Sequence, residues 1–152
     1  MIYVHDAREL EKAVNAQYDD CDALVMAAAV SDYRPAVRAE NKIKKEQHDH
    51  LNIELTENPD ILYGLGQKKT HQFLVGFAAE TRDVIEYGKA KLAKKNLNLL
   101  VANDVAQQGA GFNVSTNIAA LIYKDGHIEQ YPKMTKDDLG HIIIEKIVEG
   151  IN

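Results

Sequence analysis

Ala23-Leu24-Val25-Met26-Ala27-Ala28-Ala29-Val30 is an apolar run without a polar interruption, preceded by Asp22 and closed by Ser31-Asp32. Its length suits a strand, and the lack of alternation is what burial on both faces requires, the mark of a parallel sheet. Downstream, Phe73 to Ala78 and Leu97 to Ala102 have the same character, the latter broken only by Asn98. Between them a helix is expected, capped by Thr81 and ending near Lys95. Strand, helix and strand therefore recur. Ile118 to Tyr123 and His127 to Tyr131 flank Asp125-Gly126, a strong hairpin signal, and Thr135 opens a last helix bearing Leu139, Ile142, Ile143 and Ile147 at helical spacing. The expected fold is α/β: a Rossmann-like, doubly wound, mostly parallel sheet with an antiparallel C-terminal hairpin at its edge.

The remaining segments are read in the same way. Met1 to Val4 is short and apolar, as a strand is, and Asp6 with Glu9 forms a capping box for a helix to about Asn15. Ser31 to Gln47 holds Pro35 and many charges and reads as a long loop, followed by Leu51, Ile53 and Leu55 alternating as in a half-exposed strand. Asn58-Pro59 reads as a helix start, with the end near Gly64 and Gly66.

The 152 residues fit one domain, 1–152, with no internal repeat or dividing linker. Hydrophobic residues at 45% and charged residues at 27% exclude disorder, and the formal charge of −5 argues against nucleic acid as a partner. Cys21 stands alone, so no internal disulfide or zinc ribbon forms, and a reducing cytoplasm is the expected setting. No apolar run reaches the ~18 residues of a membrane span, and Met1 to Glu9 lacks the order of a signal peptide. The histidines show no metal spacing beyond His48-Asp49-His50, so no metal-ligating residues are assigned. G-x-S-x-G, the Walker loop and G-x-G-x-x-G are absent; Val114 stands where the third glycine after Gly109 and Gly111 would be.

Doubly wound sheets bind ligands at the carboxyl ends of their strands, which directs attention to Ala29 to Arg34, Ala78 to Thr81 and Asn103 to Val105. In the stretch from Met26, Ala27 to Ala29 are small enough at a strand end for a ring or sugar to approach the backbone, with Asp32 as a nearby carboxylate; a packed strand ending in a turn is the plainer alternative. Lys42 and Lys44 point the same way in an extended chain and suit a phosphate, or form part of a solvated charge run. On the helix after Phe73 to Ala78, with Val84 at zero and roughly 100° per residue, Lys95 falls near 20° and Lys91 near −20°. Both lie on the apolar stripe, while Lys89 and Lys94 point elsewhere. Lys91 and Lys95 thus meet an anion at the sheet edge or simply complement a helix C-terminus. Asn58-Pro59-Asp60-Ile61-Leu62 offers free helical N–H groups to a phosphate or a base edge, or is a plain capped helix.

In order, Ala27-Ala28-Ala29-Val30-Ser31-Asp32-Tyr33-Arg34-Pro35, Lys42-Ile43-Lys44-Lys45, Asn58-Pro59-Asp60-Ile61-Leu62, Val75-Gly76-Phe77-Ala78-Ala79-Glu80-Thr81 and Ala102-Asn103-Asp104-Val105 closely resemble bacterial phosphopantothenoylcysteine synthetase, the ligase half of the bifunctional coenzyme A biosynthesis protein. The resemblance runs from about Ala7 to Val148. It implies CTP-dependent joining of 4′-phosphopantothenate to cysteine: the carboxylate attacks the α-phosphate, pyrophosphate leaves, and the cysteine amine displaces CMP from the acyl-cytidylate. It also implies a CTP pocket from Met26, Ala27, Ala28, Asp32, Lys42, Pro59, Asp60, Ile61, Leu62, Phe77, Lys91 and Lys95, with Lys42 catalytic and Mg²⁺ bridging the phosphates. A homodimer follows by the same resemblance, with the lysine loop near the subunit contact, as does fusion to a flavin-dependent decarboxylase domain in the full-length protein. The family's domain opens with another βαβ portion that carries a Gly-rich turn and an asparagine linked to the intermediate. Nothing in Met1 to Asn15 matches it, so a chain truncated at its amino end is expected. A non-catalytic nucleotide-binding or dimerisation fragment is the alternative from another class, and a dinucleotide reductase a weaker one.

Overall fold

A computed structural model describes residues 1–44, 50–80, 83–104 and 116–152, and of Glu80 and Asp104 the backbone alone. Thr81 as a cap, and Lys45 and Val105 in the resembling blocks, lie outside the described residues. The chain runs α1 (Ala7–Tyr18), β1 (Ala23–Met26), β2 (Tyr33–Pro35), β3 (Leu55–Glu57), α2 (Ile61–Lys68), β4 (Phe73–Glu80), α3 (Val84–Lys94), β5 (Leu99–Asp104), β6 (Thr116–Tyr123), β7 (Ile128–Thr135) and α4 (Lys136–Ile151). The main sheet has the order β1-β4-β5-β6-β7. β1, β4 and β5 are parallel, β6 is antiparallel to β5, and β7, antiparallel to β6, again runs with β5. β6 alone is reversed, so the sheet is mostly parallel with the expected hairpin at its edge. No helix among the described residues is long and apolar enough to cross a membrane.

Alternation along the central strands loads both faces. Leu74, Leu100, Ala102 and Ile122 meet Tyr18 of α1, Ile61, Leu62 and Leu65 of α2, and Leu92 of α3. Val75, Leu99, Val101, Ala119 and Leu121 meet Leu139, Ile143 and Ile147 of α4 on the other face. Successive strand side chains point to opposite faces, so each apolar run supplies both cores at once. Asn98, the interruption before β5, takes the backbone N–H of Leu74 at 3.0 Å and the Lys69 ammonium at 2.9 Å on its Oδ1. A carboxamide there satisfies a buried donor at the start of β4, which an apolar residue would leave unpaired.

Several elements differ from the expectation. Met1 to Val4 is not a strand. β1 ends at Met26, and Val25 is 41% exposed because α4 covers the central strands and β1 lies at the sheet's margin. α1 continues to Tyr18, and Glu9 accepts from the backbone N–H of His5 at 2.7 Å, one residue before the expected Asp6, which itself caps Arg8 and Glu9. The expected loop from Ser31 contains β2, paired antiparallel with β3 in a separate two-stranded sheet; Leu51 and Ile53 lie outside any strand.

α2 begins at Ile61, with Asp60 as its N-cap in place of Asn58, and runs through Gly64 and Gly66 to Lys68. Glycine is needed at one of these two positions. A Cβ on Gly66 would stand 2.0 Å from the Lys95 carbonyl oxygen, whereas one on Gly64 meets nothing within 4 Å. Gly66→Ala is therefore expected to lower unfolding free energy by about 1 to 3 kcal/mol through forced separation of backbone. Gly64→Ala is expected to raise it by about 0.5 to 1 kcal/mol, since alanine loses less freedom in a helix interior. Urea denaturation of the two variants, with equal effects as the contrary result, checks the assignment.

Candidate functional site

At the carboxyl ends of β1, β4 and β5 lies a cleft of about 810 Å³, within the range of ligand sites. Its walls come from both faces of the sheet. On the face of α2 and α3 stand Met26 to Asp32, Asn58 to Leu62, Lys91 and Lys95. Phe77, Asn103 and Asn117, with Lys136, Leu139, Gly140 and Ile143 of α4, form the wall beyond β4. The chain leaves the sheet after Met26, so Ala27, Ala28 and Ala29 present backbone and methyl groups only; their exposure is consistent with an open strand end.

The structure brings together Met26, Ala27, Ala28, Asp32, Pro59, Asp60, Ile61, Leu62, Phe77, Lys91 and Lys95. Lys42 is exposed between β2 and β3 and is not among the lining residues. The helical-wheel division of the lysines corresponds to the geometry. Lys91 and Lys95 line the cleft, while Lys89 lies outside it with its ammonium 3.3 Å from Glu86.

Asp60 acts at two points. Its Oδ1 accepts from the Tyr63 backbone N–H at 3.1 Å, capping α2, and from the Lys95 ammonium at 2.9 Å. The first turn of α2 thus already faces a carboxylate of its own chain, which stabilises the positive end of the helix dipole and opposes a phosphate at the same spot. Lys91, Lys95 and Lys136 face Asp32, Glu57 and Asp60 across the lining, so the cleft is not uniformly positive. Lys91 and Lys95, at the end of α3, bring two of the three lining cations to one side of the cleft.

Sequence reasoning missed Asn117, Lys136 and Gly140. Asn103 donates to Asn117 Oδ1 at 3.3 Å, and its own Oδ1 is buried without a partner among the described residues. The strand-end rule pointed to Asn103 without giving it a role. Asn117 and Lys136 carry no local signal, since their place at the cleft depends on β6 and β7 folding back beside β5.

The model of the DNA/pantothenate metabolism flavoprotein C-terminal domain matches residues 1–151. The chain belongs to this family. It is 45% identical over 146 residues to the coenzyme A biosynthesis bifunctional protein CoaBC of Bacillus subtilis (strain 168), covering 96% of this chain and 36% of that one. It thus spans about a third of that relative. The crystal structure of the C-terminal domain of a coenzyme A biosynthesis bifunctional protein CoaBC superimposes with a TM-score of 0.77 at 36% identity, over 96% of this chain and 63% of the other. A Cab2 mutant in complex with phosphopantothenate-cysteine shares the fold, with a TM-score of 0.68 at 13% identity over 99% of this chain and 53% of that one.

Asp60→Ala removes an N-cap and the partner of Lys95 together. The expected cost is about 1 kcal/mol, dominated by the cap, because a partly exposed ion pair contributes little. Lys95→Ala, which breaks only the pair, is expected to cost less than half as much in thermal unfolding at matched pH and salt. A larger loss from Lys95→Ala would reverse the ranking of cap and ion pair.

Proposed function

We propose that this chain is the CTP-binding part of a ligase that joins 4′-phosphopantothenate to cysteine in coenzyme A biosynthesis. The observation that carries the reading is convergence: Lys91, Lys95, Asp32 and the Pro59 to Leu62 turn, separated along the sequence, line one cleft at the carboxyl edge of the sheet. Family membership agrees with it. Lys91 and Lys95 draw in the triphosphate and offset charge that grows on the α-phosphate as the substrate carboxylate attacks and pyrophosphate leaves. The cysteine amine then attacks the acyl carbon, and CMP departs.

Mg²⁺ is usually held by one or two carboxylates together with substrate phosphates, and Asp32 on the cleft wall suits that donor set. When bound, the ion neutralises phosphate charge. Lys42 is assigned its catalytic part by family resemblance, from a position on the arm formed by β2 and β3. Tyr33, Val37 and Leu55 on that arm are exposed, and a two-stranded sheet is marginal by itself in water. A second copy of the chain covering it is the homodimer we assign, and the reducing cytoplasm is its setting.

CTP-dependent pyrophosphate release with 4′-phosphopantothenate and cysteine tests the activity. CTP binding without turnover favours the non-catalytic nucleotide-binding or dimerisation fragment. Replacing Lys91 and Lys95 with alanine is expected to weaken CTP binding at least tenfold, about 1.4 kcal/mol, in isothermal titration. The Lys89 and Lys94 pair is expected to change it less than threefold. Equal losses would refute the helix-face argument.

The base is read where backbone is fixed, at Met26 to Ala28 and Pro59 to Leu62, with Phe77 beside them. A mismatched base leaves polar groups unpaired at about 1 to 3 kcal/mol each, whereas lysines on a triphosphate discriminate hardly at all. CTP is therefore expected to outcompete ATP by at least tenfold. Comparable affinities would leave an anion-binding face without a base-reading pocket.

A further inference from the structure

The chain crosses between the main sheet and the β2–β3 arm twice, from Ala27 to Asp32 on the way out and through Asn58 to Asp60 on the return. Both crossings are cleft walls. One side chain ties them together. Asn58 donates its backbone N–H to the Asp32 carbonyl at 2.7 Å and its Nδ2 to the Ser31 carbonyl at 2.8 Å. Its Oδ1 accepts from Arg34 Nη1 at 3.2 Å, and the same nitrogen donates to the Glu57 carbonyl. Asn58 therefore uses its backbone donor and both ends of its carboxamide on this junction. Arg34 is half-buried in β2, and its bonds to Glu57 and Asn58 are neutral acceptors for a charged donor, the stronger kind of hydrogen bond.

From this geometry we infer that Arg34 and Asn58 are positioning residues: their clasp fixes the wall carrying Asp32 against the wall carrying Asp60 and the first turn of α2, so that one nucleotide engages both. The inference rests on the nucleotide reading above. Neither residue needs to touch the ligand. β2 and β3 pair with each other and with no strand of the main sheet, so the ladder of the main sheet does not set the separation of the two crossings. Without the clasp the walls sample other separations, and affinity falls by the fraction of time they are correctly placed.

Since Nη1 makes both of the Arg34 bonds, a single ammonium nitrogen can replace it, and this gives the test its specificity. CTP is titrated calorimetrically into the chain and into Arg34→Ala, Asn58→Ala, the double variant and Arg34→Lys, with melting temperatures recorded for each. Each single alanine variant is expected to weaken CTP at least tenfold while still melting well above the titration temperature. The double variant is expected to lose no more than a further threefold, because either substitution opens the same clasp. Arg34→Lys is expected to remain within threefold of the parent. If an alanine variant does not fold, Arg34→Gln carries the test and should likewise weaken CTP.

Unchanged affinity in the folded alanine or glutamine variants would overturn the inference, as would independent, additive losses. A parent chain that does not bind CTP at all would instead overturn the nucleotide reading. The two failures are distinguishable in one set of titrations.

Discussion

The close approach of α2 to the end of α3 governs the geometry of the cleft. Gly66 allows the Lys95 carbonyl to lie where a Cβ would be, and Asn96 seals the contact by donating Nδ2 to the Gly66 carbonyl at 2.9 Å. Two helices that meet backbone to backbone have little freedom to slide. Their opposite features are thereby fixed as well: the N-cap Asp60 arrives 2.9 Å from the Lys95 ammonium. A larger side chain at Gly66 would displace a cleft wall as well as part of the core.

The cleft balances attraction against self-satisfaction. A helix N-terminus facing a ligand site is usually available to a phosphate, yet here Asp60 occupies that role from within the chain. Positive charge is supplied by side chains on a different helix. Lysines are mobile point charges, able to leave one carboxylate for another oxygen without moving the backbone. The opposite wall is built mainly from carboxamides and apolar groups, Asn103 and Asn117 with Leu139 and Ile143 of α4, and carries one cation, Lys136. The cleft thus has a side of mixed charge, with Lys91, Lys95, Asp32 and Asp60, and a side whose one charged residue is Lys136, divided by the end of β4. That division follows from placing α3 and α4 on opposite faces of one sheet.

The arm poses a different physical problem. β2 and β3 are three residues each, too short to be stable alone, and they are fastened to the body at the Asn58 junction. Apolar side chains at Tyr33 and Leu55 face solvent, while polar hydrogen bonds hold the base of the arm. Rigidity is concentrated at the attachment, where two cleft walls begin.

The sequence by itself determined the central strand runs of β4 and β5, the last helix, the hairpin at Asp125-Gly126 and the division of the α3 lysines, because these depend on local periodicity and turn chemistry, whereas the apolar Met1 to Val4 and Leu51 to Ile53 found no strand to pair with. Resemblance of five ordered blocks also picked out cleft residues from distant segments. The start of α2 was misread because Pro59 is a strong helix-start signal, while Asp60 takes the cap by bonding Tyr63. Exposure of Val25 and the pairing of Tyr33–Pro35 with Leu55–Glu57 were not legible, since they depend on which face α4 covers and where the chain returns. Tertiary structure alone decided that Asn117 stands beside Asn103, that Gly66 is needed where Gly64 is not, and that Asn58 joins two crossings. Each is a contact between segments far apart in the chain, and no local pattern of side chains records which distant backbone will come to rest against it.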